Sequence, residues 1–380
     1  MTRAFAPTAL MLGNFATGIC IVGPTAMLPE LAQGLGVGIP QVGLLITYGA
    51  IVLCIGSPAS AWLTSRFDRR ALLSATALIV AATNFASALA SDYATLLVIR
   101  VVMLAVAALF TPQAAGAAAL LVPPERRGST MSYVFLGWSL VLAAGLPMIA
   151  TIAGYVGWRW AYAFIGAVAL ASALLLAWRL PRGLKGVPVG VATWLGLLRN
   201  PLVLVLLLVT TLQMGGQFVA LTFIGPLLAR FLGAGPGDVA LMFAIYGVAG
   251  FVGNVVASRI VDSAGAYRTS LLSTALVAVG LAGWALCAGH YLATAVAMML
   301  WGLGFAASNS MQQVRLSAAE PAATGASVSL NTSVLYIGQA WGSALGSFLY
   351  VRELYGAIGL AGAAVLGAAL VLVVTTRKAG

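Results

Sequence analysis

The stretch Ala61-Trp-Leu-Thr-Ser-Arg-Phe-Asp-Arg-Arg-Ala-Leu-Leu73 is a short basic segment between two long apolar runs. A second version lies near residue 260, where Ala257-Ser-Arg-Ile-Val-Asp262 is followed by Tyr267-Arg-Thr-Ser-Leu-Leu272. In both copies a Ser-Arg pair ends one apolar run, an Asp follows, and an Arg precedes the Leu-Leu that opens the next run. This pattern predicts a duplicated half.

The repeat extends beyond these loops with a nearly constant spacing. Leu72 and Leu271 each open a Leu-Leu-Ser triplet, 199 positions apart, and Tyr48-Gly49 matches Tyr246-Gly247 at an offset of 198. Further on, Gly128 of Pro-Glu-Arg-Arg-Gly corresponds to Gly325 at an offset of 197. Such spacing favours two parallel copies, which in a transporter are related by an axis along the membrane normal.

The composition indicates that most of this chain lies in a lipid bilayer. It is 62% hydrophobic and 7% charged, too few polar residues to cover a water-facing surface. Its apolar runs of about 20 residues are long enough to cross a bilayer and too long for membrane β-strands of about 10 residues. Because backbone polar groups must be paired internally in lipid, the sequence predicts an all-α integral membrane protein.

The length rule predicts twelve spans in two pseudo-symmetric six-helix bundles. The predicted domains are an N-terminal bundle over 1–180, a cytoplasmic linker over 181–201 and a C-terminal bundle over 202–380. The predicted spans are 7–28, 41–63, 72–90, 94–121, 130–153, 158–180, 202–227, 239–257, 269–288, 291–314, 326–349 and 355–375.

The distribution of basic residues supports this topology. If the N-terminus is cytoplasmic, 15 of the 19 Lys and Arg residues fall in inner segments and 3 in outer segments. The positive-inside rule predicts such a bias, so the net charge of +11 requires no nucleic-acid partner. We predict a multi-pass protein of the cell inner (plasma) membrane with both termini in the cytoplasm.

The sequence lacks the motifs of several classes of enzyme and of metal-binding protein. Cys20, Cys54 and Cys287 all lie in apolar runs without metal-ligand spacing, and His290 is the single histidine. The sequence contains no Gly-x-Ser-x-Gly, no His-Glu-x-x-His and no P-loop. We therefore predict a protein that is not an enzyme and that has no cofactor and no metal site.

The predicted topology and several short stretches resemble the major facilitator superfamily. The first half most resembles its drug:proton antiporter branch, which includes arabinose-efflux-like permeases. The similar stretches are Met27-Leu-Pro-Glu30, Gly43-Leu-Leu-Ile-Thr-Tyr48, Arg66-Phe-Asp-Arg-Arg-Ala-Leu-Leu73, Leu96-Leu-Val-Ile-Arg100, Pro123-Pro-Glu-Arg-Arg-Gly128, Gly145-Leu-Pro147 and Gly157-Trp-Arg159. The resemblance covers nearly the whole chain and is denser in the first half.

The loop after the second span departs from the family pattern Gly-x-x-x-Asp-Arg-x-Gly-Arg-Arg. Its Gly and Asp positions hold Ala61, Ser65 and Asp68, whereas the arginines match. In the family this loop is thought to latch the two halves together, which implies a latch made of Arg66, Asp68, Arg69 and Arg70, with Asp68 as the displaced carboxylate. The alternative is that these arginines only set the topology.

Arg100 is expected to be the one charge inside a span, about 8 Å below the outer end of the fourth helix. It matches the arginine of the family's fourth-span Arg-x-x-x-Gly motif, although Leu104 replaces the glycine. Intramembrane charges commonly serve function, so we expect Arg100 to meet substrate or coupling ion in a wet cavity. The alternative is a guanidinium that snorkels to the membrane surface.

The resemblance implies a central cavity lined by the first, fourth, seventh and tenth spans. These spans carry most of the buried polar groups, which favours a pathway for a neutral or weakly polar ligand. For any single residue the alternative is a hydrogen bond that holds two helices together. The candidates are Asn14, Gln113, Gln213, Gln217, Asn309 and Gln313.

All eight acidic residues fall at span ends or in loops, so no carboxylate is expected at the bilayer midplane. Glu30, at the outer mouth, is the nearest substitute for the buried acid that proton-coupled exporters commonly titrate. We predict a monomeric secondary transporter that exports a small organic compound, such as a drug, sugar or metabolite, by proton antiport. A facilitator or uptake permease without proton coupling is the alternative, and a channel or receptor is a more remote one.

Overall fold

The computed structural model describes residues 5–64, 67–123, 127–185, 191–320 and 324–376, and within these ranges it contains helices and no strand. The helices match the predicted apolar runs to within a few residues at most ends. Their bounds are Ala6–Val22, Leu28–Leu35, Ile39–Leu63, Arg69–Ala88, Tyr93–Ala107, Phe110–Leu120, Arg127–Leu140, Leu146–Tyr155, Trp158–Arg179, Val191–Arg199, Pro201–Leu221, Ile224–Leu232, Pro236–Ala264, Ala266–Leu286, Tyr291–Ala319, Thr324–Val351 and Tyr355–Thr375.

Eleven helical segments of the described chain are long and apolar enough to cross a membrane. The helix Thr324–Val351 has 28 residues, about 42 Å, and is less apolar because it carries Asn331, Gln339 and several serines. Counting it as span 11, we number the spans in chain order. They are Ala6–Ala26, Ile39–Ser57, Arg69–Ala88, Tyr93–Ala118, Tyr133–Tyr155, Trp158–Arg179, Pro201–Leu221, Pro236–Val261, Ala266–Leu286, Tyr291–Ala319, Thr324–Val351 and Tyr355–Thr375.

Spans 1 and 5 are each interrupted close to a proline. Span 1 passes from its α-helix into a 3₁₀ turn over Gly23–Ala26, with Pro24 in the turn and Pro29 in the next helix. Span 5 contains a widened π-helical turn over Val141–Gly145, just before Pro147. Proline lacks the N–H that continues a helix, so both interruptions follow from the sequence.

The same pairs of spans pack together in both halves. Span 1 packs on spans 5 and 6, and span 7 packs on spans 11 and 12. Span 3 packs on span 6 as span 9 does on span 12, and span 2 packs on span 4 as span 8 does on span 10. This recurrence agrees with the sequence repeat.

The two halves meet where spans 2 and 5 pack on spans 11 and 8. Glycines allow this approach, because a Cβ on Gly247 would overlap the Leu142 backbone and one on Gly154 would overlap the ring of Pro236. Ser347 Oγ also donates a hydrogen bond of 3.3 Å to the Pro40 carbonyl. The halves are therefore held together by close backbone packing with one polar contact among those described.

These contacts run from one end of the molecule to about its middle, where Gly247 meets Leu142. With an even number of spans, the described chain ends, Phe5 and Thr376, lie at the same end of the bundle, which we call the terminal end. Pro40, Gly154, Pro236 and Ser347 lie at the opposite or distal end, where spans 2 and 8 begin and spans 5 and 11 finish. The halves are thus packed together at the distal end.

Gly154→Val should weaken closure of the distal end, because its branched side chain cannot fit against the ring of Pro236. A cysteine introduced at Ser347, in a background without the native cysteines, should react at least about tenfold faster with a thiol reagent, which corresponds to about 1.4 kcal/mol of lost closure. Gly367→Val is the control, since an added Cβ there meets nothing within 4 Å. Equal reaction rates in both variants would contradict this assignment of the closed interface.

Candidate functional site

Asn14 lies at the centre of a polar cluster in the N-terminal half. It is fully buried, its Nδ2 donates to the Val134 carbonyl at 3.1 Å, and its Oδ1 accepts from the Thr111 hydroxyl at 3.0 Å. The Trp138 indole N–H reaches Thr111 Oγ1 at 3.4 Å. Asn14 therefore links spans 1, 4 and 5 through side chains that carry no charge.

Gln113 lies apart from this cluster. Its Nε2 donates to Thr64 Oγ1 at 2.9 Å, just beyond span 2, and the Arg69 guanidinium donates to the Thr64 carbonyl at 3.1 Å. The structure therefore places Gln113 against the loop between spans 2 and 3.

That loop is fastened to the segment after span 6. Asp68 Oδ1 accepts from the Ala71 N–H at 3.0 Å and so caps span 3, while Oδ2 accepts from the Gly183 N–H. Next to it, the Arg69 N–H donates to the Leu184 carbonyl at 2.9 Å. Of the other predicted latch residues, Arg66 lies outside the described residues.

The electrostatics of Asp68 reflect these contacts. Burial alone would raise its pKa, but hydrogen bonds from the Ala71 and Gly183 N–H groups and the nearby charge of Arg70 outweigh burial. The pKa of Asp68 is therefore below its ordinary value. The carboxylate is ionised near neutral pH, which suits a helix N-terminus.

Arg100 contacts backbone rather than the space between the halves. It is 2% exposed, and its Nε donates to the Leu45 carbonyl at 3.0 Å. Its Nη1 and Nη2 donate to the carbonyls of Cys20 and Ile21 at 3.2 and 2.7 Å. The guanidinium thus joins spans 1, 2 and 4 at the end of the first helix.

The polar cluster of the C-terminal half is built on span 7. Gln213 Nε2 donates to the Thr274 hydroxyl at 2.7 Å, and Gln217 Oε1 accepts from the Trp301 indole N–H at 3.1 Å. Tyr246 meets the Trp301 ring edge-on at 5.2 Å. Gln213 Oε1 and the Tyr246 hydroxyl are buried without a hydrogen-bond partner in the described chain. The cluster thus contains one amide oxygen and one hydroxyl that could each form a further hydrogen bond.

Asn309 and Gln313 share one face of span 10, and both are half-buried. Asn309 Oδ1 accepts from Asn331 Nδ2 at 3.0 Å, and Asn331 Oδ1 accepts from the Thr210 hydroxyl at 2.7 Å. This second chain of hydrogen bonds joins spans 10, 11 and 7. Asn331 is not among the predicted residues because span 11 is not one of the spans that the resemblance assigns to the cavity.

Arg315 is another buried arginine, and it lies at the terminal end of span 10, beside the residue that follows span 12. The helix of span 10 continues to Ala319 rather than ending near residue 314. It therefore includes Arg315, which is fully buried. The Arg315 guanidinium donates to the Thr376 carbonyl at 3.0 Å and to the Thr376 hydroxyl at 2.6 Å. The length rule misses it because apolar residues thin out before the helix ends.

Glu30 lies at the distal end, in the first turn of the helix Leu28–Leu35. It is half-buried, and its Oε2 has no hydrogen-bond partner in the described chain. Burial raises the pKa of Glu30, and a backbone hydrogen bond opposes this only in part. The helix that carries Glu30 also packs against Ile224–Leu232 of the other half.

The predicted residues therefore form several groups rather than one. Asn14 and Gln213 are the central amides of the two clusters and stand 199 positions apart, the offset of the sequence repeat. Gln113, in span 4, contacts the loop after span 2, which also carries Asp68; Glu30 lies at the distal end, and Arg100 lies at the junction of three spans.

The family model of the Major Facilitator Superfamily matches residues 10–343 and, in a second match, residues 206–380. The chain belongs to this superfamily. The overlapping second match starts close to the predicted second half.

Relatives from two bacteria support this assignment. The inner membrane transport protein YdhP of Escherichia coli K12 is 30% identical over 373 residues, covering 97% of this chain and 95% of the relative. The MFS-type transporter YtbD of Bacillus subtilis 168 is 31% identical over 253 residues, covering 66% and 64%.

Solved structures of this superfamily share the fold. A D-xylose-proton symporter superposes with a TM-score of 0.81 at 16% identity, covering 99% of this chain and 98% of that one. The nucleoside transporter NupG gives 0.76 at 12% identity, with 98% and 100% coverage. The predicted fold of twelve helices in two bundles is confirmed, and the chain is a multi-pass membrane transporter of small molecules.

Arg100→Ala should reduce transport by about tenfold or more and lower the midpoint of thermal unfolding by several degrees. The reason is that three carbonyls lose bonds to a charged group, each worth about 1.5 to 3 kcal/mol. Arg159→Ala is the matched control, since Arg159 also bonds a carbonyl, that of Ala90 at 3.1 Å, but is exposed at a span end. Unchanged transport and thermal stability in Arg100→Ala would contradict this role.

Proposed function

We propose that the protein exports a small organic compound across the inner membrane by alternating access, in exchange for protons. The observation that carries this proposal is the pair of buried clusters on spans 1 and 7, centred on Asn14 and Gln213. In this proposal the two clusters are the polar walls of one pathway between the halves.

The chemistry of these clusters favours a neutral substrate. Their side chains are amides, hydroxyls, indoles and a phenol, which form hydrogen bonds and apolar contacts without charge. Trp301 and Trp138 each direct an indole N–H to an oxygen of the cluster, so their rings supply apolar surface at the same place. A compound with a few hydroxyl or amide groups on an apolar body fits such walls.

Alternating access needs two arrangements of the halves, and the distal packing supplies one of them. The contacts at Gly154 and Ser347 are a glycine against a proline ring and one hydrogen bond, so the halves can separate there without breaking an ion pair. In this proposal the terminal end is cytoplasmic, in line with the 15 to 3 division of basic residues. The packed distal end then faces outward.

Several observations support export and proton coupling. The first half resembles the efflux branch, and the relative from Escherichia coli is named an inner membrane transport protein. A structural neighbour with the same fold is a D-xylose-proton symporter, so this architecture is compatible with proton coupling. Glu30 supplies the titratable group, since its pKa is raised at an interface that must open and close.

The decisive test uses purified protein in proteoliposomes with and without an imposed pH gradient. A substrate is first sought by comparing the metabolite and drug profiles of deletion and overexpression strains. Substrate flux that moves protons in the opposite direction supports antiport. Flux that ignores the gradient favours the facilitator, and flux that carries protons along with the substrate favours uptake by symport.

Glu30→Gln should make closure of the distal end independent of pH. A raised carboxyl pKa means that the closed form binds the proton more tightly, so this contribution to closure is complete at low pH and lost as pH rises through the raised pKa. In the wild type, a cysteine at Ser347 should therefore become more reactive between acid and neutral pH, after correction for thiol ionisation. Glu320→Gln is the control, and an unchanged pH profile in Glu30→Gln would remove Glu30 from the coupling.

Asp68→Asn should shift the balance between inward-open and outward-open forms, because the amide retains one acceptor for the span 3 cap but loses the charge that holds Gly183. The shift is measured by cysteine accessibility on both faces and should be at least about threefold, or about 0.6 kcal/mol. Asp92→Asn is matched to it, since Asp92 caps span 4 through the Thr95 N–H at 2.9 Å. Equal accessibility in both variants would reduce Asp68 to a helix cap.

A further inference from the structure

A groove lies between the distal parts of spans 9 and 10, outside the interface between the halves. It has a volume of about 850 Å³. Its walls include Val279, Gly283 and Cys287 from span 9 and the turn after it, and Val296 and Leu300 from span 10. These spans pack on spans 7, 8, 11 and 12 of their own half. The groove is therefore separate from the proposed transport pathway.

The groove opens toward the surface that a bilayer covers. Beside it, Leu286 and Leu292 are 75% and 77% exposed, and Val279 is also largely exposed. Its lining residues are all in the described part of the chain, and they include no Asp, Glu, Lys or Arg. An apolar hollow that faces hydrocarbon excludes a water-soluble ligand, because such a ligand would have to leave water without finding hydrogen-bond partners.

The dimensions of the groove match one leaflet. On span 10 its lining runs from Tyr291 to Leu300, about 14 Å along the helix axis at the α-helical rise. The hydrocarbon core of a bilayer is about 30 Å thick, so the groove is about as deep as the chain region of one leaflet. A lipid chain that enters at the distal end would therefore lie in the open groove over most of this depth.

Glycine residues create the hollow. A Cβ on Gly283 would meet only the Ala297 Cβ at 3.5 Å, so the absence of a side chain there leaves free volume. Gly289 has φ of 93°, which the turn between the spans requires and which disfavours a larger residue. The hollow is therefore set by the sequence at these two positions.

Polar groups are confined to the distal mouth. His290 is exposed there, and the Tyr291 hydroxyl donates to Asp238 Oδ1 at 3.2 Å. Tyrosine and histidine side chains at this depth lie at the level of lipid headgroups, where an apolar ring and a polar tip are both accommodated. The mouth thus matches the polar end of a lipid, and the groove matches its chain.

We propose that this groove binds one acyl chain of a membrane phospholipid as a retained, site-specific lipid. The headgroup lies beside His290 and Tyr291, and the chain runs along Gly283 toward Val279. This inference does not depend on the transported substrate or on proton coupling.

The test uses full-length protein in vesicles of phosphatidylethanolamine and phosphatidylglycerol that contain a phospholipid with a diazirine in its acyl chain. After illumination, mass spectrometry of peptides should find adducts concentrated in the segment 279–300. Gly283→Leu should lower these adducts by about tenfold, because the leucine displaces several methylene groups of the chain. Gly356→Leu is the control, since it lies at the distal end of span 12 where an added Cβ meets nothing within 4 Å.

Adducts spread over all exposed spans, or adducts on 279–300 that Gly283→Leu leaves unchanged, would overturn the proposal. Labelling by a small alkyl diazirine without labelling by the phospholipid would also overturn it and indicate a site for a small apolar compound. Both variants must elute from size exclusion as the wild type does. If Gly283→Leu fails this check, Val296→Trp, which fills the groove from span 10, decides by the same criterion.

Discussion

At the buried end of the first helix, two backbone carbonyls depend on a single arginine. A helix leaves its last four carbonyls without partners, and here they belong to Ile19, Cys20, Ile21 and Val22. The Gly23 N–H donates to the Ile19 carbonyl, and the Thr25 hydroxyl donates to the Val22 carbonyl at 2.6 Å. Arg100 donates to the two carbonyls between them. Because a backbone group left unpaired in lipid costs several kcal/mol, this arginine permits span 1 to break.

The break in span 1 has a counterpart in the C-terminal half. There span 7 also ends early, and the Thr222 hydroxyl donates to the Phe218 carbonyl at 2.9 Å. Beyond each break lies a short helix, Leu28–Leu35 in one half and Ile224–Leu232 in the other, and the two pack together at the distal end. A charged cap in one half and a hydroxyl in the other thus support the two sides of the same closed interface.

The sequence predicted the large-scale architecture well because lipid leaves few alternatives. The lengths of the apolar runs predicted the spans, and the repeat offset of 197 to 199 residues predicted their arrangement in two bundles. The direction of a side chain was harder to predict, since it depends on rotation about a helix axis and on breaks in neighbouring helices. Arg100 was expected in a wet cavity because nothing in the sequence shows that span 1 ends beside it, and Arg315 was missed because its helix continues past the apolar run.

The positions of Arg100 and Glu30 also limit where a proton could bind in a transport cycle. Arg100 is held by three backbone carbonyls, and none of its hydrogen-bond partners in the described part of the chain is a carboxylate that could exchange a proton with it. The half-buried carboxyl of Glu30 lies instead on the helix Leu28–Leu35, which packs on Ile224–Leu232 of the other half, and in the proposed mechanism its solvation changes as the halves move. Protonation there would act on the closure of the interface rather than on a ligand at the centre. Coupling through an interface needs no acid at the bilayer midplane, so the proposed proton exchange is compatible with the proposed pathway of amides and indoles.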